Sequence, residues 1–139
     1  MQYNTAHAAY SQNTVGGIES PTKLIEMLYE GVLRFIFRAR KAMQDNDVEK
    51  KVYFINRTNA IFIELLNSLD YNQGSIAHYL SGLYTRQIQL LAMANINNDE
   101  QSLNEVVSVT KQLLEAWKET TNAGRPDRGA VPPLLPGGR

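Results

Sequence analysis

From residue 20 onward, Leu, Ile, Val and Phe recur every three or four positions, the spacing of amphipathic helices, and short polar turns interrupt that rhythm three times. Four helices are expected. Ser20 can accept a backbone N–H as an N-cap, and Pro21 at the first helical position gives up only a donor that would be unpaired there. The first helix is expected to run to about Met43, where Gln44-Asp45-Asn46-Asp47 stops it. Asp47 is placed to cap the second helix, which runs to about Leu69. Asp70-Tyr71-Asn72-Gln73-Gly74 forms the next break, and Ser75 is expected to cap a third helix ending near Ala94. After Asn95-Ile96-Asn97-Asn98-Asp99 the fourth helix continues to about Thr121. Its start has two candidates, Asn98 with Gln101 and Ser102 with Glu105, both of which fit a capping pattern. Connections this short favour antiparallel neighbours. The expected fold class is all-α, an antiparallel up-down four-helix bundle with an additional short N-terminal segment or helix.

The width of the apolar faces separates the helices. The fourth gathers Leu103, Val106, Val107, Thr110, Leu113, Leu114 and Trp117 on one side, with Glu105, Ser108, Lys111, Gln112, Glu115 and Lys118 opposite. The first is broader: Leu24, Ile25, Leu28, Tyr29, Val32, Leu33, Phe35, Ile36 and Phe37 spread over roughly 220° of the helix wheel, where a bundle needs a little over 100°. In the second, Val52, Ile55, Asn59, Phe62, Ile63, Leu66 and Leu69 form the expected core stripe. Phe54, Ile61 and Leu65, with Thr58 between them, form a second apolar stripe, read as lying on roughly the opposite side. Contiguous apolar surface outside a core usually marks an interaction site. Three covers suit it: the N-terminal segment folded back, a second copy of the chain, or a foreign peptide. The bland alternative is an irregular bundle in which the stripe belongs partly to the core.

Composition divides the chain into three parts. Residues 1–19 are poor in charge and carry scattered apolar residues; they are expected to be a mobile segment that can cover a groove. Residues 20–121 are the bundle. Residues 122–139 hold four of the five prolines and four of the nine glycines, so they are expected to be a disordered tail or an added segment. The whole chain of 139 residues balances 14 basic against 14 acidic residues. No broad positive field is available to hold nucleic acid by counterion release. No apolar run approaches the roughly 20 residues that span a bilayer, and the first residues lack the basic and apolar regions of a signal peptide. A cytoplasmic location without membrane insertion is therefore expected.

Chemistry is sparse. The absence of cysteine removes thiolate ligands, disulfides and a cysteine nucleophile. The two histidines, His7 and His78, sit in no ligand-spaced pair, and no phosphate loop, dinucleotide fingerprint or nucleophile elbow occurs. Asp45, Asp47 and Asp99 read as turn and cap residues. Asn59 reads as a core amide, Trp117 as a core anchor, and His78 as a solvated residue. No catalytic residue, cofactor or metal is expected.

Several separated stretches are identified, in order and at matching spacing, as those of the flagellin export chaperone family FliS. They are Ala9-Tyr10-Ser11-Gln12-Asn13-Thr14-Val15, Ser20-Pro21-Thr22-Lys23-Leu24-Ile25-Glu26-Met27-Leu28-Tyr29-Glu30-Gly31, Asn46-Asp47, Leu69-Asp70, Leu83-Tyr84, Ala94-Asn95-Ile96-Asn97-Asn98-Asp99 and Glu115-Ala116-Trp117-Lys118. The resemblance covers residues 3 to about 121. It implies an antiparallel bundle that binds the disordered C-terminal segment of flagellin, keeps it from polymerising and delivers it to the flagellar type III export apparatus. It also implies that the N-terminal segment can lie over part of the same surface and be displaced. On that basis Ile25, Leu28, Tyr29, Phe54, Ile61 and Leu65 are the flagellin-binding candidates, and Tyr10, Val15 and Ile18 the groove-covering candidates. A co-chaperone or regulatory protein and a weak homodimer are the further partners left open.

Overall fold

The computed structural model describes residues 20–123, which form four helices and one short 3₁₀ turn: α1 (Pro21–Gln44), α2 (Val48–Asn67), the 3₁₀ turn (Tyr71–Gln73), α3 (Ser75–Asn97) and α4 (Glu100–Ala123). Each helix packs on its neighbours in a closed ring, α1 on α2, α2 on α3, α3 on α4 and α4 back on α1. Side-chain ties fix the directions. Trp117 Nε1 near the end of α4 donates to the Thr22 carbonyl at the start of α1 (2.8 Å). At the other end of the bundle Gln44 of α1 donates to Glu100 of α4 (2.8 Å), and Arg40 to Asn104 (2.7 Å). Neighbouring helices are thus antiparallel, as the short connections required. Among the described residues no helix is long and apolar enough to cross a membrane.

Two of the expected caps form. The Ser20 hydroxyl accepts from Lys23 N (3.3 Å), and the Asp47 carboxylate accepts from Lys50 N (3.2 Å). Two expectations need correction. Ser75 is not a cap: Gly74 precedes the helix at φ 82°, a region open to glycine at little strain, and no side chain caps that end. Asp70 caps the 3₁₀ turn instead, accepting from Asn72 N (3.0 Å). Likewise α4 starts at neither candidate. Asp99 holds its first turn, accepting from Gln101 N (3.1 Å) and from the Ser102 hydroxyl (2.9 Å). The third helix also runs through Asn97, three residues beyond the expected end, and stops where Asn98 turns left-handed at φ 51°. Asparagine tolerates that conformation and serves there as glycine commonly does.

The core runs the length of the ring and includes Leu28, Val32 and Ile36 of α1, Ile55, Phe62 and Leu65 of α2, Leu80, Leu90 and Leu91 of α3, and Leu103, Val106 and Leu113 of α4. Two polar devices sit within it. Across the diagonal between α1 and α3, the hydroxyls of Tyr29 and Tyr84 lie 2.6 Å apart, with Phe62 packed on Tyr84 and Trp117 edge-on to Tyr29. Burial pushes the Tyr29 phenol up to about 12, against the smaller lowering effect of its bond to Tyr84. The Tyr84 phenol is pushed well above its ordinary range, first by burial and then by the neighbouring Tyr29. The second device is Lys51, 6% exposed. Its ammonium donates to the Asn95 carbonyl (3.1 Å) and to Asn98 Oδ1 (2.7 Å), so it satisfies the last turn of α3, where a positive charge complements the helix dipole.

Candidate binding surface

The wheel for α2 requires the largest correction. Lys51, Ile55, Thr58, Phe62 and Leu65 are the buried residues of this helix. At 100° per residue, Phe54, Thr58, Ile61 and Leu65 lie beside Ile55 and Phe62 rather than opposite them, so the two stripes are adjoining halves of one broad face. Thr58 and Leu65 fall inside the core. The Thr58 hydroxyl is satisfied within its own helix, donating to the Phe54 carbonyl (2.8 Å). Ile63, expected in the core, is exposed, and Asn59 is only half-buried.

The candidate site residues accordingly separate. Leu28, Tyr29 and Leu65 are buried. Ile25, Phe54 and Ile61 are half-buried and pack on the core from its edge. Ile61 lies against α1 at Gly31, where a Cβ would stand 3.0 Å from its Cδ1. Glycine here lets α1 and α2 approach closely. One turn further along the seam, Phe54 stacks on Phe35 with ring centroids 6.1 Å apart. The half-buried candidates therefore border the α1–α2 pair, and Ile25 lies towards the N-terminal end of α1. Tyr10, Val15 and Ile18 lie outside the described residues.

That same end of the bundle carries a cleft of about 460 Å³ lined by Ser20, Thr22, Lys23, Glu26, Trp117, Thr120 and Thr121. It opens between the first turn of α1, where residues 1–19 join the bundle, and the last turns of α4. Trp117 is half-buried, packs on the core and has its indole N–H satisfied. His78 is exposed and lies against the Tyr71 ring, with ring centroids 5.0 Å apart. Among the described residues no group of three His, Cys, Asp or Glu side chains is placed to hold a metal ion. The surface has the makings of a binding site for chain: apolar edges on two helices beside a cleft at one end.

Sequence reasoning did not find Lys51, the Tyr29–Tyr84 pair or the close approach at Gly31. The first had a legible signal, since Lys51 stands four residues before Ile55 and seven before Thr58, in line with the buried face. The tyrosine pair is 55 positions apart in sequence, and no local spacing reveals it.

The sequence profile of the family described as Flagellar protein FliS matches residues 2–124. The chain belongs to the FliS family. Among similar proteins, the flagellar secretion chaperone FliS of Campylobacter jejuni is 63% identical over 123 residues, covering 88% of this chain and 95% of that protein. The FliS of Bacillus subtilis is 32% identical, covering 92% and 95% respectively. The FliS of Salmonella typhimurium is 36% identical, covering 82% and 86%. The FliS match takes in all four helices, the cleft and the first residues that precede the described part.

Proposed function

We propose that this protein is a flagellin export chaperone. It binds the disordered C-terminal segment of flagellin in the cytoplasm, prevents premature polymerisation and aids delivery to the flagellar type III export apparatus. The observation that carries this reading is the FliS match over residues 2–124, supported by relatives named flagellar secretion chaperones. The geometry agrees with it. A disordered client loses conformational entropy when it orders, and a long apolar surface must offset that loss. Helix-in-groove binding uses edges such as Ile25, Phe54 and Ile61. Leu28, Tyr29 and Leu65 then act beneath the groove, holding its floor. Tyr10, Val15 and Ile18 of the N-terminal segment compete with the client for part of it.

Calorimetric titration with a peptide of the last ~40 residues of the host flagellin, long enough at ~1.5 Å per helical residue to traverse the bundle more than once, tests the reading. Saturable binding at one peptide per chain is expected, with a negative heat-capacity change from apolar burial. Replacing Ile25 and Phe54 by Asp should weaken binding about tenfold or more with helicity retained. Absence of heat and of a complex on gel filtration would overturn it. A stable dimer indifferent to the peptide would favour a self-associating bundle instead.

A further inference from the structure

Beside the stacked pair Phe35 and Phe54, three guanidiniums gather from two helices. Arg34 and Arg57 lie 5.5 and 5.1 Å from the centre of the Phe35 ring, and Arg38 lies 5.7 Å from that of Phe54. All three arginines are exposed, while both rings are half-buried. Among the described residues none of the three is ion-paired: the salt bridges there use Lys23, Lys41 and Arg86. Residues 20–121 carry 11 basic and 12 acidic side chains, so this is a local concentration of positive charge on a slightly acidic body. Like charges brought together without a carboxylate repel one another. The ring faces attract and hold the guanidiniums in place, and among the described residues their N–H donors are not spent on acids.

We propose that this face docks an acidic helical segment of a partner protein, on a surface that borders the flagellin-contact set named above at Phe54 and, beside Gly31, at Ile61. Charge complementarity selects the occupant. Arg34 and Arg38 stand one turn apart on α1, and Arg57 faces them across the seam. Carboxylates four residues apart on a partner helix share that spacing, and the planar guanidinium binds carboxylate through two parallel hydrogen bonds. Aliphatic residues between those carboxylates have the exposed edges of Phe35 and Phe54 to rest on. A nucleic acid suits the face less well, because proteins that hold a duplex by its backbone neutralise on the order of six to ten phosphates. An anionic membrane is recognised by clusters of roughly four to eight basic residues, again more than are free here.

The test uses the full chain and a synthetic helical peptide of about 16 residues with glutamates at i and i+4 along one face. Its companion carries glutamine in their place. Nitrogen-15 NMR follows the Nε–H resonances of Arg34, Arg38 and Arg57. The expected result is a saturable shift of these signals with the glutamate peptide and none with the glutamine peptide. Affinity should fall about tenfold in Arg34→Gln/Arg57→Gln, with a thermal melt matching that of the unsubstituted chain. If that pair fails to fold, Arg57→Gln alone should lower affinity about threefold. Silence at the arginines, an equal response to both peptides, or tighter binding of phosphatidylglycerol vesicles or duplex DNA than of the glutamate peptide would overturn the proposal. Loss of flagellin-peptide binding is measured separately on the unsubstituted chain and bears only on the chaperone reading.

Discussion

Tyr29 and Tyr84 share one short hydrogen bond inside an apolar diagonal, and each is therefore held neutral. Both folded pKa values exceed the ordinary value of 10.0, so the folded chain keeps protons that the unfolded chain would release. Their contribution is fully present below that ordinary value and is lost as pH climbs through the folded value, about 12 for Tyr29. The unfolding free energy from urea titrations should fall above about pH 10, by up to ~1.4 kcal/mol per pH unit for each phenol, and Tyr29→Phe/Tyr84→Phe should remove that part of the fall. Near neutral pH, Tyr29→Phe alone strands the Tyr84 hydroxyl and should destabilise by about 1–3 kcal/mol. The double variant should lose less than the two single losses together, because the second change removes the stranded group. Lys51 makes the opposite kind of tie, a buried cation on neutral acceptors. Lys51→Ala should lower stability by about 2–3 kcal/mol, and Lys51→Met by less, since the methionine keeps the apolar stem and brings no charge to satisfy. Urea unfolding followed by far-ultraviolet circular dichroism distinguishes these from the ~0.5 kcal/mol of an ordinary surface change.

Among the elements, α1 and α2 form the closest seam, and Gly31 sets its spacing. Gly31→Ala trades a gain in helix propensity of about 1 kcal/mol against a squeeze on the tip of Ile61. Its net effect should be small. Gly31→Leu has no such escape and should push the helices apart, lowering stability by about 2 kcal/mol, or roughly 10 °C in the thermal midpoint. The α2 helix also shows where sequence reading stops. Its register was legible, but its inward direction was not, because Lys51 and Thr58 are polar residues on the buried line and Ile63 is an apolar residue facing out. Their burial depends on partners supplied by α3 and by the helix's own backbone. In α4 the stripe from Leu103 to Leu113 is buried as expected, the polar Thr110 included, because its apolar neighbours on the same line fix the inward direction. Caps behaved similarly: Ser20 and Asp47 were legible from local chemistry, whereas Gly74 and Asp99 won where several polar residues competed for one turn.

At the level of the whole molecule, the all-helical class, the four helices and their antiparallel order followed from periodicity and turn length. The binding surface was legible only as excess apolar breadth on α1 and α2. Which residues of that breadth face inward is decided by the ring of four helices together. Each helix contacts two neighbours, and polar ties close the ring at both ends. Unfolding of the described bundle should therefore be one cooperative event: in scanning calorimetry the measured enthalpy should equal the van't Hoff enthalpy. A separate early transition would show that one end opens independently.

The tie at Trp117 has a further consequence. It is the chain's single tryptophan, it lines the cleft, and its indole N–H is bound to the first turn of α1, just after Ser20. Indole emission shifts in colour and intensity with the polarity around it. The protein thus contains its own unlabelled optical clock, able to time in a stopped-flow mixer the arrival of any segment that settles at this end of the bundle or pulls on Thr22.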